Sequence, residues 1–196
     1  MKFPKQKFRE FVFLYPIPEI INHEIKNHSY GEEGGIEAFK EKYARLLNEC
    51  IDLRYRKKNF GINFVTFTHH DISELIEVQP GERILDANMY FDTHVKCGVY
   101  PDNDYILDEL ISPVEQLVIT GFHMWDCVSR LAKRAYKRKI NVLVDEDLTE
   151  FFSGRIKDKN FRTDVYPTFN PREMSGRLFD EFLKARENKP WLWQDY

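Results

Sequence analysis

The chain has 196 residues, 42% of them hydrophobic and 31% charged, a length and balance that suit one ordinary globular domain over residues 1–196 and exclude a disordered polyelectrolyte. Its 29 basic and 32 acidic side chains give a formal charge of −3, which argues against a protein built to hold nucleic acid. The three cysteines, Cys50, Cys97 and Cys127, are widely spaced without a CxxC pair, so a reducing, cytoplasmic setting is expected rather than a disulfide framework or zinc knuckle, and no run approaches the ~20 apolar residues that cross a membrane.

Phe11 to Tyr15 is a continuous apolar run stopped by Pro16 and Pro18, the pattern of a strand buried on both faces. Glu19 to Gly35 reads either as a short helix or as a loop. From Glu37 to about Arg56, Phe39, Tyr43, Leu46, Leu47, Cys50 and Ile51 recur at intervals of three and four, which predicts an amphipathic helix. Ile62 to Thr68 is β-branched and aromatic, a second strand, followed by the polar string His69-His70-Asp71. A turn at Gln79-Pro80-Gly81 leads to a short strand, Arg83 to Leu85, and Asp102-Asn103-Asp104 precedes a helix carrying Ile106, Leu107 and Leu110, closed by Pro113.

Gln116 to Thr120 is the most strand-like run. Gly121 follows it, and a helix begins near Cys127 with Val128, Leu131, Ala132, Ala135 and Tyr136 on its inner face. Ile140 to Val144 is the next strand. The strand–helix alternation predicts an α/β fold, Rossmann-like, with a mostly parallel sheet and helices on both faces. A last helix is expected from Asn170-Pro171-Arg172-Glu173 to about Glu187, and it forms with the Trp191-Leu192-Trp193 tail a peripheral extension over about 170–196.

In open parallel sheets ligands gather at the C-terminal strand ends, which directs attention to Tyr15, Thr68 to Asp71, Asp86, Gly121 to Cys127 and Asp145 to Asp147. A cysteine on the first turn of a helix lies among free amides and the positive end of the dipole, which favours a thiolate and an oxyanion alike. A free cysteine is equally at home as a small buried hydrophobe.

The stretch Val118-Ile119-Thr120-Gly121-Phe122-His123-Met124-Trp125-Asp126-Cys127-Val128, with Ala132, Ala135-Tyr136 and the strand ending at Asp145, resembles the core signature of the isochorismatase-like cysteine hydrolases. The resemblance implies a three-layer αβα sandwich around a six-stranded, mostly parallel sheet, and a cis peptide at Phe122-His123. It also implies hydrolysis of an amide or related bond of a small molecule by a cysteine nucleophile, with an Asp base and a Lys partner. Of these groups only Cys127 carries over. The first strand ends in Leu14-Tyr15-Pro16 with no carboxylate, and Leu85-Asp86 stands where the lysine is expected.

Two readings follow. In one the chain is an altered hydrolase, with Cys127 as nucleophile, His123 or Asp86 as proton carrier, and Tyr15, His70, Phe122, Met124 and Trp125 around the substrate. In the other it is an inactive relative serving as a binding or oligomeric scaffold, its pocket plugged by Tyr15, Met124 and Trp125. No cofactor, metal, membrane or nucleic-acid partner is expected. His69-His70-Asp71 reads as ordinary surface rather than a metal site, and the basic stripe from Arg130 to Lys139 as a solvated helix face. The aromatic tail is expected to dock on a neighbouring copy in a homo-oligomer.

Overall fold

Alternation along β1 (Phe8–Leu14) organises the molecule: Val12 and Leu14 enter one apolar cluster, Phe11 and Phe13 the other, because successive side chains of a strand face opposite ways. The structure is a computed structural model and describes residues 8–110, 114–166 and 184–192. Beside β1 lie β2 (Gly61–Thr66), β3 (Arg83–Asp86), β4 (Val114–Gly121) and β5 (Val142–Thr149), in the spatial order β3-β2-β1-β4-β5 with every pairing parallel. The α/β class and the parallel sheet agree with the sequence reading. The expected six strands do not: the sheet has five among the described residues. Where a sixth would pair with β5, a single parallel bridge joins Val144 to Leu192, and the Val144 amide donates to the Trp191 carbonyl at 2.9 Å.

Helices flank the sheet. On the side of Phe11 and Phe13, α1 (Pro18–His28) contributes Ile21 and Ile25, and α2 (Gly35–Arg54) contributes Phe39, Tyr43, Leu47 and Ile51. The segment that read as helix or loop is therefore helical from Pro18, whose fixed φ suits a first turn. On the side of Val12 and Leu14, α4 (Asn103–Glu109) brings Ile106 and Leu107, and α5 (Ser129–Lys137) brings Leu131, Ala132 and Ala135. Asp102 caps α4 through the amides of Asp104 and Tyr105. The sequence reading missed α3 (Phe91–Cys97), which buries none of its residues and so has no apolar period to show, and α6 (Phe152–Arg155), a single turn. Pro113 and most of the expected last helix lie outside the described residues; 184–186 are helical.

The sequence reading ended β5 at Val144, because Asp145, Glu146 and Asp147 follow, yet the strand runs on to Thr149. Counter-charges make this possible. Arg54, 0% exposed at the end of α2, reaches both oxygens of Asp145 at 2.9 and 3.1 Å and Asp147 at 3.1 Å. Its remaining N–H groups donate to the carbonyls of Arg162 and Thr163, and Tyr55 donates its hydroxyl to Asp145 at 2.5 Å. Arg155 approaches Asp147 at 3.3 Å. Ions are buried only where they are paired and hydrogen-bonded.

Glu146, 1% exposed, pairs with Arg186 at 2.5 Å. Burial nevertheless pushes its carboxyl from 4.5 up to about 7. The folded chain thus holds this proton to higher pH than the unfolded chain, so the stability it contributes is full below about pH 4.5 and is lost as pH rises through 7. That loss is roughly 3 kcal/mol. Urea unfolding at pH 4.5 and pH 8 is expected to show a decline across this window that is smaller in Glu146→Gln by a comparable amount; identical pH dependence in the two proteins would contradict it.

The Trp191-Leu192 part of the tail packs on its own chain. Both residues are buried in the cluster on the α5 side, and Trp191 meets Tyr136 at 5.8 Å. Trp193 lies outside the described residues.

Candidate functional site

The strand order reverses between β1 and β4, and there Leu14 and Gly121 lie side by side in register. Such a switch point is where an open parallel sheet offers a crevice. Two unusual backbone positions shape it. Tyr15 turns off β1 at φ 57 with its amide donating to Val65, and Gly121 turns off β4 at φ 106, with the next amide, Phe122, donating to the Leu14 carbonyl at 3.0 Å. The Phe122–His123 peptide is cis, at the bond where the resemblance places one.

After it the chain forms one wide π turn, Met124–Val128, and continues as α5. The His123 carbonyl accepts from the amides of Asp126 and Val128, both at 3.1 Å. Cys127 is therefore at a helix start, as expected from the sequence, but it is only 6% exposed and packs in the cluster that holds Tyr15, Ile17, Met124 and Val128.

That burial reverses the expected electrostatics. Desolvation, with the neighbouring Asp126 charge, pushes the Cys127 thiol from 9 up to about 12, against the smaller opposing influence of Arg130 and a backbone hydrogen bond with His123. A rise of that size corresponds to roughly 4 kcal/mol, while a helix terminus supplies at most about 2 kcal/mol. Burial also pushes the Tyr15 hydroxyl well up, with the Cys127 charge adding to it. The thiolate favoured by helix position alone is not favoured in this environment.

The groups expected around the sulfur divide into three sets. Tyr15 and Met124 are buried in the same cluster. Phe122 is buried too, but in the opposite cluster, where it packs on Phe13 at 6.1 Å. His123 and Trp125 are exposed, Trp125 at 37%. Among the described residues no histidine ring and no carboxylate hydrogen-bonds the Cys127 sulfur; its hydrogen bond is with the His123 backbone.

Asp86 is exposed at the end of β3 and accepts from the Thr68 hydroxyl and the Asn88 amide, each at 2.7 Å, so it closes a turn. His70 pairs with Glu19 at 3.5 Å and sets its ring against Phe67 and Phe91. Asp71 accepts from Ser73, and no group of three or more His, Cys, Asp or Glu able to hold a metal occurs among the described residues.

Aromatic rings fill the strand ends. Tyr15 stacks on Phe67 at 4.3 Å, Phe67 on His94 at 5.4 Å, and Phe91 and Tyr100 close around them.

One further residue was not identified from the sequence. Glu150, just past β5, accepts the Met124 amide with both carboxylate oxygens, at 2.7 and 3.0 Å. Burial raises its pKa, and the Met124 amide works against that rise. The first free amide of the turn, an oxyanion donor in the sequence reading, is thus engaged by the chain's own carboxylate. The sequence reading marked Asp145 to Asp147 as an acidic strand end, and Glu150 lies beyond that run.

Compared with known proteins, the chain matches no family model and no curated protein.

Proposed function

We propose that the chain is a divergent protein of the isochorismatase-like type, three-layered about its sheet, whose cysteine centre has become a packing node. It serves as a binding or oligomeric scaffold module rather than as an amide hydrolase. The likeness rests on β4 ending at Gly121 and on Cys127-Val128 leading into α5 six residues later. The observation that carries the non-hydrolytic reading is the burial of Cys127 in the apolar cluster that also holds Tyr15 and Met124, with its thiol pushed up to about 12. At pH 7 such a thiol is ionised in roughly one molecule in 10⁵, whereas an ordinary cysteine is a few per cent thiolate. Glu150 on the Met124 amide supports the same reading, because a carbonyl oxygen would have to displace a carboxylate already held there.

Thiol labelling tests this without a substrate, and the chain carries its own control. Cys97 is exposed, whereas Cys50 and Cys127 are buried. Iodoacetamide on the native protein at pH 7.5 is expected to alkylate Cys97 at an ordinary rate and Cys127 at least about 100-fold more slowly, until the protein is unfolded. Fast labelling at Cys127, absent in Cys127→Ala and with a midpoint below ~8.5, would restore the hydrolase reading.

A further inference from the structure

The basic stripe that follows Cys127 is largely neutralised within the chain. Arg130 pairs with Asp126 at 2.8 Å, Arg134 with Asp104 at 2.6 Å, and Arg138 with Asp104 and Asp108 at 3.4 and 2.6 Å. Positive charge without a full answer gathers instead where residues 184–192 meet α5 through the Trp191 and Tyr136 rings. Tyr136, Arg186, Asn188, Lys189 and Pro190 line an open depression of about 610 Å³ there, and among the described residues no carboxylate lines it.

Lys189 reports the local field. Burial, then repulsion from Arg186 and Lys133, pushes its pKa down, and among the described residues no carboxylate forms an ion pair with it or with Lys133. Its Nζ stands 5.1 Å from the Trp125 ring centre, a contact that holds a cation without removing its charge. Arg186, 8% exposed, pairs with Glu146. Because burial pushes that carboxyl up to about 7, the counter-charge it supplies near neutral pH is only partial. A concave surface with an excess of one sign of charge concentrates counter-ions.

We propose that this depression binds a small organic phosphate, its phosphate group held by Lys189 and the charge of Arg186 and its body set against Tyr136 and Pro190. The volume is within the usual range of small-molecule sites. A phosphate monoester carries close to two negative charges at neutral pH, which matches two lining cations with incomplete counter-charge. An ammonium has three donors, so Lys189 can face the Trp125 ring and a phosphate oxygen together, and lysine serves phosphate as a compact point charge. The Asn188 carboxamide and the Tyr136 hydroxyl are further donors in the lining. A bare phosphate ion fills only a small part of such a volume, which leaves room for the organic body. A nucleic-acid partner fits poorly with a chain of net charge −3.

Calorimetric titration of the full chain with phenyl phosphate and, separately, with inorganic phosphate tests the proposal. The expected result is saturable one-to-one binding of phenyl phosphate, at least about fivefold tighter than inorganic phosphate. In Lys189→Gln the affinity is expected to fall at least about tenfold, with unchanged circular dichroism as the check on folding. Lysine acetylation of the wild-type protein locates the site without any substitution. Saturating phenyl phosphate is expected to slow acetylation of Lys189 at least about fivefold and to leave Lys26 unchanged, since Lys26 is on α1, across the sheet. No saturable binding up to about 10 mM, equal affinity for the two probes, an unaffected Lys189 variant, or an unprotected Lys189 would overturn it. The site does not use the Cys127 sulfur, so this outcome and that of thiol labelling are independent.

Discussion

Arg54→Met is expected to lower the unfolding free energy by about 3–5 kcal/mol, the usual result of removing one partner from a buried ion group. The reason lies in what remains. Asp145 and Asp147 would keep their carboxylates at 0% exposure without the guanidinium that bridges them, and the carbonyls of Arg162 and Thr163 would lose their donors. Burial opposes the Arg54 charge, but Asp145 and Asp147 together with Cys50 outweigh it and push its pKa up, so the cation is held firmly. Arg54→Lys keeps a charge but not the fork that serves two carboxylates at once, and it is expected to fall between methionine and wild type. Urea unfolding measures all three. The sharper check is a double-mutant cycle with Asp145→Asn: because both substitutions act on one network, their costs are expected to be non-additive by at least about 1 kcal/mol. Additive costs would mean that Arg54 and Asp145 stabilise the fold independently.

The second large effect is expected at Gly121→Ala. The position has φ 106, which residues with a Cβ rarely adopt. A Cβ placed there would also overlap the backbone of Leu14, the neighbouring residue of β1. Flexible side chains can move aside, but this obstacle is the main chain of the central strand at the switch point. Backbone strain and overpacking each cost about 1–3 kcal/mol, so a loss of at least about 2 kcal/mol is expected. Gly81 separates the two contributions: its φ is 91, yet nothing lies within 4 Å of a Cβ built on it. Gly81→Ala is expected to show the strain alone. Similar midpoints for the two variants in guanidinium would show that the approach of β1 to β4 is not what requires glycine.

Much of the fold was legible because it is written in periodicity. The run Phe11 to Leu14 and the spacing of Phe39, Tyr43, Leu47 and Ile51 depend on local pattern, and the structure follows them. Residues 145–149 were illegible for the opposite reason: their strand character depends on Arg54, about ninety positions earlier in the chain. No local rule predicts a charged strand interior from a distant counter-ion. At the candidate site the sequence located Cys127 but not its surroundings. Helix position argues for a thiolate, whereas desolvation in the packed cluster argues more strongly against one, and burial of that kind appears only once strands and helices are assembled. Phe122 shows the limit at the scale of one residue. It follows Gly121, whose positive φ redirects the chain, and its ring enters the cluster on the far side of the sheet from the sulfur.

The Glu150 carboxylate on the Met124 amide also bears on how the protein meets small acids in solution. Because donor and acceptor belong to one chain and are held in place by β5 and the turn, the pairing is intramolecular, with an effective concentration of millimolar or more. A free carboxylate contending for that amide must exceed this local concentration and leave Glu150 partly buried without its donor. A small acid present well below that level is therefore expected to leave this turn closed by the chain's own carboxylate.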